Sequence, residues 1–301
     1  MTKTVCVIGL GTMGYGAAQS LVRAGFTVRG VDVRPEILQR FVDGGGVAAR
    51  TPAEGAKDAE AVFVFVVNST QTEAVLFGTD GAVAAMSPGT VLATCATVPP
   101  AFVEDLAARL EDTGILLLDA PVSGGGAKAA TGEMTVMGAG APAAFGKAEP
   151  FLKAIATKVY NLGEAPGQGS RVKMINQLLA GVHIAVSAEA MALGIKAGVD
   201  PEVLFEVISN SAGSSWMFQN RVPHILAGDY TPLSAVDIFV KDLGIVTSTG
   251  EALGVDLPIA STALQRFETA SARGLGREDD SAVIKVYAED AGIALPTGRK
   301  G

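Results

Sequence analysis

The sequence predicts an α/β protein in which a doubly wound parallel sheet is followed by one long helix and an all-helical C-terminal domain. Short β-branched segments alternate with helical stretches in the first half, as in strand–helix–strand units. A glycine-rich turn joins the first strand to the first helix, and the strand pattern stops near residue 164. We expect two domains, residues 1–164 and 165–301, because 301 residues suit about two domains of average size.

Five strand patterns are strong, and each is apolar on both alternating faces, as expected of strands that are covered on both sides. They lie at residues 5–8, 27–31, 62–67, 91–94 and 115–119. Weaker patterns lie near residue 47, at 135–137 and at 158–160. Residues 168–197 contain no proline and predict one helix of about 28 residues. A helix of this length is typical of a connection between two domains.

The composition excludes several classes of protein. Lysine and arginine number 23 against 31 aspartates and glutamates, and the net charge of -8 is opposite to the balance that nucleic-acid binding requires. The longest uninterrupted apolar run, 61–67, is far shorter than the ~20 residues of a membrane helix, and no secretory signal opens the chain. Two cysteines suit a reducing compartment and indicate neither a disulfide framework nor a metal site. We therefore expect a cytoplasmic protein that contacts neither nucleic acid nor membrane.

A dinucleotide-binding motif follows the first strand directly. The pattern G-x-G-x-x-G places backbone N–H groups and a helix N-terminus where a pyrophosphate can bind, although a glycine-rich structural turn has the same composition. Its expected cofactor contacts are Gly9, Leu10, Gly11, Thr12, Met13 and Gly14. Asp32 ends the second strand, where a carboxylate binds ribose hydroxyls, while Arg34 could attract a 2′-phosphate. We favour NAD as the cofactor.

Two further motifs carry polar groups with a defined spacing. Ser123 is followed by three glycines at the end of a buried strand, so consecutive N–H groups are exposed and suit a carboxylate, unless the segment is only a flexible turn. On the long helix, Lys173, Asn176 and Gln177 are at positions i, i+3 and i+4 and share one face. A solvated lysine on a helix surface is the alternative for that face.

With these motifs in this order, the sequence resembles the β-hydroxyacid dehydrogenases, the group that contains 3-hydroxyisobutyrate dehydrogenase and tartronate semialdehyde reductase. The resemblance covers nearly the whole chain. Residues 177–185, 215–218 and 229–243 are most similar to the L-threonate dehydrogenase branch. The resemblance implies a Rossmann-fold, NAD-dependent dehydrogenase that acts on the CH–OH group of a hydroxy acid.

The resemblance also implies a role for each motif. Ser123, Gly124 and Gly125 would bind the substrate carboxylate, and Lys173 would be the general acid/base. Gln177 would bind a substrate hydroxyl from the position where most of the family has an asparagine, which is one methylene shorter. The further cofactor contacts that the family implies are Val66, Val67, Thr97 and Lys241.

We therefore expect the oxidation of a small polyhydroxy acid, L-threonate to its 2-oxo acid. 3-Hydroxyisobutyrate dehydrogenase and tartronate semialdehyde (2-hydroxy-3-oxopropionate) reductase are alternatives within the class. A non-catalytic dinucleotide-binding module and an imine reductase are further alternatives, but relatives of both kinds usually lack the lysine found at Lys173. Neither His183 nor His224 has the setting of a catalytic histidine, and no metal-ligand spacing occurs. The apolar segment 283–287 suggests burial against a second copy, in a homodimer or homotetramer.

Overall fold

The computed structural model describes residues 2–298, and the chain divides into two compact units, residues 1–173 and 174–301. The division lies within the long helix Gln168–Lys196. The first unit is α/β and the second is helical, which confirms the predicted fold class.

The first unit contains a six-stranded parallel sheet with the order β3-β2-β1-β4-β5-β6. Its strands are β1 (Thr4–Ile8), β2 (Thr27–Val31), β3 (Val47–Ala48), β4 (Ala61–Val64), β5 (Val91–Thr94) and β6 (Leu116–Asp119). The chain winds outward from β1 to β3 and then returns to the other side of β1 with β4. In sheets of this kind, ligands bind at the carboxyl ends of the strands next to that reversal.

Helices cover both faces of this sheet. They are α1 (Thr12–Arg23), α2 (Pro35–Asp43), α3 (Pro52–Ala56), α4 (Ser69–Phe77), α5 (Pro100–Leu110), α6 (Gly125–Thr131) and α7 (Pro142–Ile155). Successive side chains of a strand point to opposite faces, so Val5 and Val7 pack in one apolar core while Cys6 and Ile8 pack in the other. This explains why the strands are apolar at consecutive positions.

The strand β4 is shorter than its pattern predicts, because it ends at Val64 and not at residue 67. The side chain of Asn68 accepts a hydrogen bond from Gln71 N at 2.8 Å and caps α4, and the side chain of Gln71 accepts one from Val67 N at 2.9 Å. These local bonds turn the chain from the sheet into the helix.

A separate three-stranded sheet completes the first unit. It consists of β7 (Val122–Ser123), β8 (Met134–Gly138) and β9 (Ala156–Asn161), with β7 antiparallel and β9 parallel to β8. The sequence patterns at 135–137 and 158–160 correspond to β8 and β9. The two-residue β7 has too few residues for an alternating pattern and was missed.

The second unit is built on the long helix α8 (Gln168–Lys196). The other helices are α9 (Pro201–Ser209), α10 (Trp216–Ala227), α11 (Val236–Ala252), α12 (Pro258–Ala270) and α13 (Ile284–Ala291). Phe239 of α11 and Phe267 of α12 stack in the core with ring centroids 5.3 Å apart. Val283, Ile284 and Val286 are fully buried in this same core. The expectation that segment 283–287 needs a second copy to bury it is therefore wrong.

By length and composition alone, α8 is apolar enough to cross a membrane, with a mean hydropathy of 1.7. Its residues Ile184, Ala188 and Met191 nevertheless belong to the apolar core of the second unit. The central helix of a globular unit has the same composition, so this helix is weak evidence for a membrane location.

Candidate active site

The glycine turn between β1 and α1 has the form that a pyrophosphate requires. The helix begins after Gly11 without a side-chain cap and has no acidic residue in its first turn, so its N-terminus can accept an anion. A Cβ on Gly14 would lie 1.9 Å from the carbonyl oxygen of Gly9, so only glycine allows this turn to pack on its helix. The residues present therefore fit a dinucleotide.

The carboxylate of Asp32 connects the end of β2 to this turn. Its Oδ2 accepts a hydrogen bond from Leu10 N at 2.8 Å, and its two oxygens accept bonds from Arg34 Nε at 2.8 Å and Nη2 at 2.9 Å. Burial raises the pKa of Asp32, but the hydrogen bonds from Arg34 and Leu10 outweigh it and hold the pKa below its usual range. The side chain is 5% exposed and anionic at neutral pH.

The residues that follow β4 and β5 lie at the same edge of the sheet. Phe65 follows β4 and contacts the glycine turn, since a Cβ on Gly9 would lie 2.8 Å from the Phe65 carbonyl oxygen. Val66 and Val67 come next, and Thr97 follows β5. The structure thus places these three predicted cofactor residues at the strand ends from which a bound dinucleotide would be contacted.

The serine–glycine loop lies beside the glycine turn. Gly124 precedes α6, which has neither a side-chain cap nor an acidic residue in its first turn. Helices α6 and α1 pack together, since Ser20 Oγ donates a hydrogen bond to the Ala129 carbonyl oxygen at 3.1 Å. A Cβ on Gly126 would lie 2.4 Å from Cγ2 of Thr12, so the two helix N-termini are neighbours. The structure therefore brings the predicted carboxylate and pyrophosphate sites together.

Lys128 is a residue of this loop that the sequence analysis missed. It lies in the last turn of the short helix α6, and its Cβ and Cδ are 2.9 and 3.0 Å from the position of a Cβ on Gly124. Helical side chains point toward the helix N-terminus, so a lysine four residues after Gly124 could have been recognised as covering it.

The helix that carries Lys173 is attached to the end of β6. Asp119 Oδ2 accepts a hydrogen bond from Ser170 N at 2.8 Å, and Oδ1 accepts one from Ser170 Oγ at 2.8 Å. Burial raises the pKa of Asp119 to about 6, against the opposing effect of these bonds. Lys173 follows Ser170 by one helical turn and is 8% exposed. It is a buried lysine and not the solvated surface lysine of the alternative interpretation.

In the second unit, Gln177 and Lys241 share one buried carboxylate. Gln177 Nε2 and Lys241 Nζ both donate hydrogen bonds to Asp242, which is 2% exposed. Gln177 Oε1 also accepts a bond from Asn176 Nδ2 at 2.9 Å. Both ends of the Gln177 amide are thus bonded within the protein. Asp242 was missed as a functional residue, although its position next to Lys241 on a buried helix face was a signal.

Among residues 2–298, no group of three or more histidine, cysteine, aspartate or glutamate side chains could hold a metal ion. Cys6 and Cys95 are both buried, and burial raises the pKa of the Cys6 thiol to about 12. Neither thiol is available as a nucleophile at neutral pH.

Comparison with known families covers both units. Residues 4–163 match the NAD-binding domain of 6-phosphogluconate dehydrogenase. Residues 167–287 match a family described as NAD-binding of NADP-dependent 3-hydroxyisobutyrate dehydrogenase. The two matches together span most of the chain.

Individual relatives extend over the full length. L-Threonate dehydrogenase of Cupriavidus necator is 60% identical over 296 residues, which are 98% of this chain and 99% of the relative. 2-(Hydroxymethyl)glutarate dehydrogenase of Eubacterium barkeri is 36% identical over 99% of this chain and 100% of the relative. The crystal structure of 3-hydroxyisobutyrate dehydrogenase from Salmonella typhimurium has a TM-score of 0.90 and 49% identity, over 94% of this chain and 99% of that one. The chain therefore belongs to the β-hydroxyacid dehydrogenase family and is a hydroxyacid dehydrogenase with an NAD-type cofactor.

Proposed function

We propose that the protein oxidises L-threonate to its 2-oxo acid with NAD, using Lys173 as the general acid/base. The substrate is supported by the 60% identity to L-threonate dehydrogenase of Cupriavidus necator over 98% of the chain. The observation that carries the chemistry is the buried lysine one turn after a helix start that is bonded to the sheet.

The substrate carboxylate would be bound by Ser123 and by the backbone N–H groups of Gly124 and Gly125. This assignment is supported by the uncapped start of α6 directly after Gly124, where backbone donors favour an anion. Lys128 covers Gly124 and adds a positive charge to the same loop. A small acid is therefore a better match to this loop than a neutral alcohol.

The adenosine half of the cofactor would be held by the glycine turn and by Asp32. NAD is favoured over NADP because the buried Asp32 carboxylate would repel a 2′-phosphate. Arg34, the cation that could attract that phosphate, is bonded to the same carboxylate. When bound, the oxidised nicotinamide supplies the hydride acceptor.

Lys173 would take the hydroxyl proton as the hydride leaves the same carbon, and it would return the proton in the reverse reaction. Hydride loss and proton loss together convert the CH–OH group into a C=O group, which balances the oxidation. Removing the proton in the transition state is worth about 10² to 10⁴ in rate. The buried amine of Lys173 can act as the general acid/base only if the helix holds it close to the reacting carbon.

Lys241 would contact the nicotinamide side of the cofactor, and Gln177 would contact a substrate hydroxyl. For Lys241, the buried Asp242 supplies a fixed partner that orients the ammonium group. For Gln177, binding a hydroxyl requires that one of its two amide bonds be exchanged for a bond to the substrate. This exchange makes the Gln177 contact the least direct of the proposed roles.

3-Hydroxyisobutyrate is the second candidate substrate. It is favoured by the TM-score of 0.90 to the Salmonella typhimurium 3-hydroxyisobutyrate dehydrogenase. The two candidates differ in which carbon is oxidised, C2 of threonate or C3 of the hydroxyisobutyrate.

A substrate panel tests the proposal. The protein is incubated with NAD or NADP and with the isomers of threonate, erythronate, glycerate and 3-hydroxyisobutyrate, and the absorbance of the reduced nicotinamide is followed against wells without substrate. We expect the highest kcat/KM for L-threonate with NAD. A preference for 3-hydroxyisobutyrate would select the second candidate, and cofactor binding without turnover of any acid would indicate a non-catalytic module.

We further propose a cytoplasmic homodimer or homotetramer. The two buried free cysteines suit a reducing compartment. On the surface of the second unit, Val203 and Val207 of α9 are exposed apolar residues, and a second copy could cover them. Light scattering on the purified protein tests the assembly, and a monomeric mass would contradict it.

A further inference from the structure

Asp119 links the substrate loop to the helix that carries Lys173. It is the last residue of β6, four residues before Ser123 in the substrate loop. Its side chain is bonded to Ser170, three residues before Lys173 on α8. Asp119 is therefore close in sequence to the loop that would bind the carboxylate, and it is hydrogen-bonded to the helix that carries the general acid/base.

Asp119 is held rigidly on its own side. Its backbone N–H donates to the Ala139 carbonyl oxygen at 2.9 Å, and its carbonyl oxygen accepts from Ala139 N at 2.8 Å, which ties β6 to the strand-end of the smaller sheet. The residue is 1% exposed. Its carboxylate therefore has little freedom to follow α8 if the helix moves.

The first turn of α8 packs directly against this strand end. A Cβ on Gly169 would lie 2.4 Å from the Met137 carbonyl oxygen and 2.8 Å from that of Asp119, so a larger residue would push the helix away. The glycine allows the N–H of Ser170 to reach the carboxylate at 2.8 Å. The distance between the first turn of α8 and the end of β6 is thus set by backbone contacts as well as by the hydrogen bonds.

The carboxylate takes the place of a local helix cap. The 29-residue α8 has no acidic residue of its own in its first turn, and Asp119 provides a negative charge at its N-terminus from a different element. A negative charge there is stabilised by the helix dipole and satisfies N–H groups that have no partner within the helix. A cap from another element also fixes the position of the first turn of the helix relative to that element.

We propose that Asp119 is a positioning residue of the dehydrogenase, which fixes the start of α8 relative to the substrate loop and thereby places the amine of Lys173 at the substrate hydroxyl. This inference rests on the proposed role of Lys173. Protonation or removal of the carboxylate loosens the first turn of α8 and moves the amine away from the position in which it accepts the proton.

The charged and titratable groups around Asp119 allow a pH test. Arg171 lies on the same helix, Cys95 follows β5, and Glu111 and Glu164 line the same cavity as Asp119. The arginine stays charged, and burial raises the pKa of the Cys95 thiol, so neither group changes between pH 7 and 5. If the fall of kcat at acidic pH disappears in Asp119→Asn, that fall is therefore due to Asp119 and not to the two glutamates.

The test compares Asp119→Asn and Ser170→Ala with the wild type and with the control Asp200→Asn. Asp200 also caps a helix, α9, through bonds to Glu202 N and Val203 N, but this helix is not the one that carries Lys173. We expect kcat for the hydroxy acid to fall at least about tenfold in Asp119→Asn and less in Ser170→Ala, with KM for NAD within about twofold. We expect the wild-type kcat to fall as the pH drops through about 6, and this limb to be absent from Asp119→Asn. Asp200→Asn keeps both the rate and the profile.

A second measurement does not depend on turnover. The lysines are dimethylated with a ¹³C label, the Lys173 signal is identified by its absence from Lys173→Arg, and its titration is followed by NMR. We expect the midpoint and chemical shift of this signal to change in Asp119→Asn and Ser170→Ala but not in Asp200→Asn. If Asp119→Asn does not fold, Ser170→Ala decides, because it removes only one hydrogen bond.

An unchanged Lys173 titration overturns the inference, even if Asp119→Asn is less stable, since a purely structural role predicts that result. An unchanged kcat and pH profile in an active enzyme overturns it as well. If the wild type oxidises no acid in the substrate panel, the proposed function fails, and the NMR comparison alone decides the role of Asp119.

Discussion

Asp32 and Arg34 form a two-point ion pair at the end of β2, in which Nε and Nη2 of the guanidinium lie 2.8 and 2.9 Å from the two carboxylate oxygens. By residue type alone, Asp32 favours NAD and Arg34 favours NADP. In the structure the two charged side chains bond to each other, so Asp32 stays ionised and Arg34 is kept from pointing freely at a 2′-phosphate.

We predict that Asp32→Ala raises KM for NAD about tenfold or more, because hydrogen bonds to a charged group are worth about 1.5–3 kcal/mol. Arg34→Ala should leave KM for NAD within about twofold and weaken the residual use of NADP. Steady-state kinetics with both cofactors measure this, with Arg50→Ala as the control, since Arg50 pairs with Glu54 on the surface. A wild-type kcat/KM for NADP equal to or above that for NAD would show that Asp32 does not select the cofactor.

Lys173→Met removes the proposed general acid/base while keeping a side chain of similar length. We predict a loss of about 10² to 10⁴ in kcat, or roughly 3–5.5 kcal/mol of barrier, because the group that takes the proton is removed. NAD binding, measured by calorimetry, should be retained. Lys153→Met, which changes an exposed lysine paired with Glu149, is the matched control. A folded, NAD-binding Lys173→Met enzyme within tenfold of the wild-type rate would exclude this role.

Lys128→Met tests whether the cation that covers Gly124 contributes to substrate binding. An exposed pair of charges is worth about 0.2–1 kcal/mol, so we expect KM for the hydroxy acid to rise about 1.5- to 5-fold with little change in kcat. The wild-type KM should rise with added salt more steeply than that of Lys128→Met, since salt screens exposed charges. Equal KM values and equal salt dependence in the two proteins would remove Lys128 from the substrate site.

Much of the fold was predictable because it depends on local patterns. The strands of the main sheet are apolar on both faces, and the glycine turn follows the first of them, so both could be identified within a few residues. Gly14 must be glycine because the turn folds back onto Gly9, only five residues earlier, and leaves no room for a Cβ. The predicted end of β4 at residue 67 was wrong: the strand ends at Val64, and Val67 N donates to the side chain of Gln71 at the start of the next helix.

The contacts that organise the site were not predictable in the same way, because they join residues that are far apart in the chain. Asp119 and Ser170 are separated by 51 residues, and Gln177 and Asp242 by 65. The residue types at 173 and 177 could be recognised from the motif, which assigns the Gln177 amide to the substrate. In the structure this amide is already bonded to Asp242, which had no motif of its own.

The last prediction concerns a buried ion pair in the second unit. Arg221 of α10 donates two hydrogen bonds to Asp280, and Asp279 lies 4.0 Å from the same guanidinium. Burial raises the pKa of Asp280 to about 6, although Arg221 opposes the rise. Arg221→Met leaves this carboxylate buried without its partner, so we predict a loss of about 3–5 kcal/mol in the free energy of unfolding.

The sign of the pH dependence follows from the direction of the pKa shift. A carboxyl whose pKa is higher in the folded than in the unfolded protein binds more protons when folded, so its contribution to stability decreases as the pH rises from about 4 through the folded pKa. Without Arg221 the pKa of Asp280 rises further, and this decrease extends to higher pH. Urea unfolding at several pH values should therefore show the smallest deficit of Arg221→Met at acidic pH.

Two variants complete the measurement. Arg221→Met combined with Asp280→Leu removes both charges and should recover most of the lost stability, because an apolar pair needs no buried counter-charge. Arg273→Met, which breaks exposed ion pairs with Glu289 and Asp290, should cause a much smaller loss. If Arg221→Met is no less stable than Arg273→Met, or if its deficit does not grow with pH, the buried carboxylate does not depend on Arg221 for its charge.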